Sequence, residues 1–360
     1  MTKLTELNNG KGFIYLCSLL ICLLLLVTPF VFPGVKFMEV GARICIFIVL
    51  VASYDLLIGY TGIVSFGHTM FFGLGAYGTA IALKQFGPDW SSVLLGGGSG
   101  ILIAIIIALV IGSLSLRIKT IFFAMITLAV ASMVMVLASQ LSGLTGGEDG
   151  ITYRIPELFN TSTKLLTDAD NKVVELWGVR LNGKLAAYYF VWFTSLLIFL
   201  VLLRVTASPL GRVLLAIREN EQRAEAIGYQ AVFYRTFIFA FSAAIAALVG
   251  SVYAIWLKYT GPDTAFSFNI MIDLLLMVVI GGMGTMWGSV LGASLLVLAH
   301  YFLRDLMEIA VTYGADLPLI PLLLNPDRWL LWLGVAFIIL VYSFPAGIAG
   351  SLIRQQQDEK

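Results

Sequence analysis

Few side chains in this sequence could do chemistry from within an apolar run. His68, one of only two histidines, and Asp55 and Asp273, each toward the end of its own apolar stretch, are the ionisable groups that stand out at that depth. A polar ring in such a place usually faces other helices and hydrogen-bonds a carbonyl or hydroxyl; its other role is to touch a passing substrate. Asp55 is a reasonable partner for His68, or for the hydroxyl of Ser53 or Thr61. Glu39 and Arg43, four residues apart, read as a local anchor near one interface. The usual catalytic devices do not occur. No stretch matches G-x-x-x-x-G-K-[ST]; the nearest, Gly96 to Gly100, has no lysine and opens an apolar run, so the chain cannot bind ATP by that device. There is no His/Cys cluster with metal spacing, no nucleophile elbow and no carboxylate pair in register. Cys17, Cys22 and Cys45 all lie in apolar runs and read as buried spectators. The expected catalytic residues, metal ligands and bound cofactors are therefore none, and binding and passage remain.

Two glycine clusters carry that expectation. The first has glycines at positions 59, 62, 67, 73, 75 and 78, interleaved with Ser65, Phe66, His68, Phe71 and Phe72. Each glycine costs a helix roughly 1 kcal/mol relative to alanine, so their density needs a reason. Small residues let membrane helices approach closely, and broken helices expose backbone that can line a cavity; plain packing and packing beside a pathway both fit. The second cluster runs Gly281-Gly282-Met283-Gly284-Thr285-Met286-Trp287-Gly288. Ser65, Gly67, His68, Phe72, Gly73, Gly281, Gly282 and Gly284 are the candidate pathway residues.

A third segment, Ser208 to Gly228, is polar and patterned. Ser208 followed by Pro209 predicts a helix start with a hydroxyl cap, Gly228 predicts its stop, and Leu214, Ile217, Ala224 and Ile227 form an apolar stripe between charges. So short a helix needs a partner for its apolar face, and three glutamates argue against an anionic lipid surface as that partner. Docking to another protein is the favoured reading over a solvated linker.

The elements that must position these residues are membrane spans. Hydrophobic residues are 59% of the 360 and charged residues 12%, which leaves too few charges to clothe a soluble fold. The apolar runs approach the length that crosses about 30 Å of hydrocarbon. The sequence predicts an all-α, polytopic membrane protein of about ten spans: Gly12–Phe32, Glu39–Ile58, Val64–Leu83, Val93–Leu116, Thr120–Leu141, Ala186–Leu203, Thr236–Leu257, a short Ile270–Met283, Thr285–Leu303 and Trp329–Phe344. The first run is long for a signal peptide, lacks a small-residue cleavage site and ends in Pro29 and Pro33, so it is expected to be retained. Arg204, Arg212, Arg218, Arg223 and Arg235, and the Arg117–Lys119 turn, place their loops in the cytoplasm; the mixed-sign loop 142–185 falls outside. Ten spans then put both termini in the cytoplasm, with residues 1–11 and 354–360 flanking a permease-like domain of residues 12–353. Two halves of five spans would start on opposite sides, the arithmetic of an inverted-topology repeat, although the halves share no residue-level similarity. Both glycine clusters fall at the cytoplasmic ends of their spans. No basic stripe suggests nucleic acid.

From about Val40 to Ile353 the chain resembles the permeases of branched-chain amino acid ABC importers, the Liv-type high-affinity systems of bacterial inner membranes. The resemblance is carried by Gly62 to His68 with Phe71 to Tyr77, by Ser208 to Gly228, by Ile280 to Gly288 and by the ending Phe344 to Gly350. It implies a complex with a second, related permease, two cytoplasmic ATPases that use ATP and magnesium, and a periplasmic or surface substrate-binding protein. Glu225-Ala226-Ile227-Gly228 looks like the family's coupling motif, so the resemblance assigns ATPase coupling to Arg218, Glu219, Glu221, Arg223, Glu225, Ala226 and Gly228. It also implies a pathway between two permeases, inward transport of branched-chain or related amino acids, and relatives that carry urea, short amides or aromatic acids. The loops 142–185 and 304–328 depart from the pattern. A secondary transporter would favour paired acidic residues near the midplane, which Asp55 and Asp273 do not form.

Overall fold

A computed structural model describes residues 2–115, 120–164, 175–176, 179–313 and 325–351. The Arg117–Lys119 turn, the 354–360 tail and parts of the 142–185 and 304–328 loops lie outside these residues. The chain is a bundle of long helices: α1 (Thr2–Val31), α2 (Val35–Thr61), α3 (His68–Phe86), α4 (Trp90–Ser115), α5 (Thr120–Gln140), a turn α6 (Ser142–Thr145), α7 (Gly183–Ala207), α8 (Pro209–Glu219), α9 (Glu221–Ala226), α10 (Ala231–Leu257), a turn α11 (Pro262–Ala265), α12 (Phe268–Gly281), α13 (Met286–Tyr313) and α14 (Trp329–Ser343). Among the described residues nine segments are long and apolar enough to cross a membrane, and the chain is an all-α polytopic membrane protein.

Of the ten expected spans, the third, Val64–Leu83, corresponds to α3, which falls outside those nine. His68, Lys84 and Gln85 lower its hydropathy, and it is enclosed by protein: most of its length is buried against α4 and α10. A helix sheathed by other helices does not need the apolarity that lipid demands of its neighbours. Its glycines make the enclosure possible. A Cβ at Gly75 would strike the Ala247 carbonyl, one at Gly250 the Phe72 carbonyl, and one at Gly78 the Gly96 carbonyl, so α3, α4 and α10 touch backbone to backbone. For this part of the first cluster, packing is the observed use.

The central helix is α2, buried along most of its length. Outward faces of α4, α5 and α14 instead expose residues such as Leu94, Leu102, Ile121, Met125, Leu330 and Ile338, as lipid-facing helices do. Helix α1 is held by α7. Pro29 has no N–H to give the Leu25 carbonyl, and the Tyr188 hydroxyl donates to that oxygen at 2.5 Å; Tyr189 and Trp192 donate to the carbonyls of Leu26 and Cys22 at 3.1 and 3.3 Å. At one end of the bundle, strands β1 (Ile151–Thr152) and β4 (Tyr259–Thr260) pair antiparallel, and Tyr153 Oη donates to the Ala254 carbonyl at 2.9 Å. A second small pair, β2 (Glu175–Leu176) with β3 (Val179–Arg180), lies in the 142–185 loop. The loops after α5 and α10 therefore share one end of the molecule.

Candidate functional site

The two glycine clusters, more than two hundred residues apart in sequence, meet. Helix α2 ends at Gly62, which takes φ 71° in the left-handed region and returns its N–H to the Leu57 carbonyl. One turn earlier Gly59 lies against Gly284; a Cβ there would strike the Gly284 backbone and the Asp55 carboxylate. Asp55 Oδ1 accepts the Gly284 N–H at 2.8 Å. The Gly59 carbonyl, one of the last of α2 and short of helical donors, accepts from Nη1 of Arg218 in α8. Gly282 and Gly284 hold φ of 108° and 83°, conformations open to glycine at little cost. The ending of the chain closes over them, because Gly347 sits where a Cβ would strike Gly282. Asp55, Gly59, Arg218 and Gly284 thus form one joint between α2, α8 and the α12–α13 turn.

This geometry corrects the pairing expected for Asp55, which bonds Gly284 instead of His68, Ser53 or Thr61. His68 is fully buried and its Nε2 lies 2.9 Å from Ser53 Oγ. Ser53 gives its one proton to the Leu50 carbonyl at 2.7 Å, so His68 Nε2 is the donor, and Nδ1 has no partner among the described residues. Its rings of contact are Tyr54 and Phe71 at 5.3 and 6.4 Å.

The other candidate pathway residues are also enclosed. Ser65 Oγ accepts the Gly67 N–H at 3.3 Å, Gly67 abuts the Thr127 carbonyl, Phe72 packs on Tyr253 at 5.2 Å, and Gly73 lies under the Phe266 ring. Gly281 faces the Gly288 carbonyl, drawing α12 and α13 together. Gly284 lines a cavity of about 500 Å³ that it shares with Tyr15, Tyr60, Thr206, Thr285 and Trp287.

The Ser208–Gly228 segment departs from its expectation in three ways. It is two helices, because Asn220 is extended at φ −156° and its side chain accepts the Arg223 N–H at 2.9 Å, capping α9 afresh. The Ser208 hydroxyl caps nothing; it donates back to the Val205 carbonyl at 2.6 Å. The apolar stripe is used within the chain, since Leu214, Ile217 and Ala224 are buried while Ile227 remains 70% exposed. The exposed residues of the segment include Arg212, Arg218, Glu219, Gln222, Arg223, Glu225, Ala226, Ile227 and Gly228. Glu221 turns back to Arg235 of α10 at 2.8 Å. Gly228 has φ 98° with no neighbour near its missing side chain, a true αL stop. Arg218, which the resemblance groups with the coupling residues, stays exposed while its Nη1 reaches the Gly59 carbonyl at the joint; nothing in its local spacing marks it apart from Arg212 or Arg223.

Residues 37–341 match the family described as the permease component of branched-chain amino acid transport systems. The chain belongs to this permease family. The high-affinity branched-chain amino acid transport system permease protein LivM of Salmonella typhimurium is 26% identical over 296 residues, covering 80% of this chain and 68% of that protein. The LivM protein of Escherichia coli matches with the same identity and coverage. A probable branched-chain amino acid transport permease of Methanocaldococcus jannaschii is 25% identical over 338 residues, 82% of this chain and 88% of that protein. No solved structure matches. The permease-family match takes in both glycine clusters and the α8–α9 segment, and stops before the ending that packs on Gly282.

Proposed function

We propose that this permease is the membrane-spanning subunit of an ATP-driven importer that moves branched-chain or related amino acids inward, with ATP and magnesium bound by separate ATPase subunits. The observation that carries this reading is the joint: α8 belongs to an arginine-rich segment and inserts Arg218 against the backbone ends of α2 and the α12–α13 turn. A push on the α8–α9 segment from the cytoplasm would therefore be felt where two membrane helices end. Glu219, Glu221, Arg223, Glu225, Ala226 and Gly228 are the proposed contact edge for the ATPase. The arginines of this segment assign it to the cytoplasm together with both termini, and assign the β1–β4 end to the outside. A second permease and a substrate-binding protein complete the proposed complex, with the pathway between the two permeases and the enclosed residues Ser65, Gly67, His68, Phe72, Gly73, Gly281 and Gly282 supporting its wall.

The test is uptake and ATP hydrolysis by the whole complex in proteoliposomes, across leucine, isoleucine, valine, aromatic amino acids, urea and acetamide. Hydrolysis-dependent accumulation of the branched-chain amino acids is the expected result. Accumulation of urea or acetamide in their place would move the chain to a different substrate class, and accumulation driven by an ion gradient without ATP would overturn the reading.

A further inference from the structure

At the end of α2 and α12 opposite the joint lies a cavity of about 220 Å³, roughly seven times the ~30 Å³ share of a water molecule. Four helical elements bring polar side chains to it: Arg43 from α2, Asp263 from α11, Asp273 from α12 and His300 from α13. Phe47, Met277 and Val297 supply apolar wall beside them.

Ionisable groups at membrane depth are costly and are kept where they are paired or used. Here the pairing is incomplete. Among the described residues Arg43 has no carboxylate within ion-pair distance, and the pairing with Glu39 expected from their spacing is not formed; its guanidinium lies over the Tyr301 ring at 5.5 Å. Asp273 and His300 approach only to 3.7 Å, and both side chains retain about a quarter of their exposure. Asp263 likewise faces the cavity without a cation at contact distance among the described residues. A guanidinium held by its ring face leaves its N–H edge free for a carboxylate, and two aspartates offer acceptors for an ammonium. The lining offers one arginine and two aspartates, so a ligand that brings a positive group as well as a negative one can meet both kinds of partner.

We propose that this cavity is a substrate site for zwitterionic α-amino acids: Arg43 takes the carboxylate, Asp273 and Asp263 take the ammonium, and Phe47, Met277 and Val297 receive an apolar side chain. This rests on the transport reading above and narrows its substrate class. Urea and simple amides carry no charges and would leave Arg43 and both aspartates unsatisfied. The site lies on the side that receives substrate in the proposed orientation. Arg43 and Gly59 are sixteen residues apart along α2, about 24 Å at 1.5 Å per residue, so a single helix joins the site to the joint.

The experiment uses the purified complex without its binding protein and photo-leucine, the diazirine analogue of leucine, with cross-links mapped by mass spectrometry. Labels on α2, α12 and α13 around the cavity are expected, displaced by leucine but not by urea, by 4-methylpentanoate (no amine) or by 3-methylbutylamine (no carboxylate). Arg43→Gln and Asp273→Asn should each cut this labelling at least ten-fold in complexes that still co-purify with the ATPases, and Arg43→Lys should restore part of it. Wild-type complexes that import leucine while the cavity stays unlabelled would overturn the site and leave the transport reading standing. Equal displacement by the one-charge analogues, which needs no variant to fold, would also overturn it. Failure of the wild type to import any amino acid while importing urea would overturn both.

Discussion

The joint and the cavity sit on the same two helices and are built from opposite materials. At the joint, recognition is done by backbone: Gly59 and Gly284 touch where side chains would collide, and Asp55 and Arg218 serve main-chain groups. At the cavity the backbone is ordinary helix and the side chains converge from four elements, incompletely paired and partly open. Close-packed backbone tolerates few arrangements and suits a part that switches between discrete positions, whereas half-satisfied charges suit a part that must bind and let go. Enlarging a residue should therefore be ruinous at the backbone contacts, and changing a charge should be most visible at the cavity.

The largest effects are expected where helices touch by backbone. Gly75→Leu must push α3 off the Ala247 carbonyl, costing on the order of 3 kcal/mol or more, and should abolish a folded species in fluorescence-detected size-exclusion chromatography. Gly282→Leu adds a side chain at φ 108° beside the chain's ending; it should insert into the membrane and lose uptake. Normal transport by both would show that these contacts are slack. A far smaller effect is expected at the α8–α9 edge of the bundle, where Glu221 is partly exposed in its pair with Arg235. Glu221→Gln should cost less than about 1 kcal/mol in thermal unfolding, and the loss should shrink as salt is raised. A loss of several kcal/mol there would mean that α9 is held to α10 much more tightly than an exposed ion pair allows.

Much of this architecture was legible in the residues. Runs of apolar residues placed the helices, including α3, and glycine density marked two of the places where backbone meets backbone. What could not be read was which distant groups meet: Asp55 and Gly284 are separated by 229 positions, and no local pattern announces their bond. The same limit hid the cavity, since Arg43 and Glu39 have helical pair spacing and yet Arg43 turns to Tyr301 on α13. The break at Asn220 had a local signal, an asparagine followed by a short charged helix, but the apolar stripe running past it at helical spacing favoured a single helix. That stripe also suggested an external groove for Leu214 and Ile217, because a sequence does not say whether an apolar face is covered by its own chain or by another.

The proposal that work enters through α8–α9 and passes Arg218 into the joint is tested most directly by the ratio of substrate moved to ATP hydrolysed in reconstituted complexes. Arg218→Ala removes the donor from the Gly59 carbonyl, Glu225→Lys reverses charge on the outer edge, and Gly228→Leu strains the αL stop. Each variant should assemble with the ATPases and hydrolyse ATP while the transport ratio falls at least ten-fold. A ratio equal to the wild type's in all three would contradict the account and require another loop to carry the coupling.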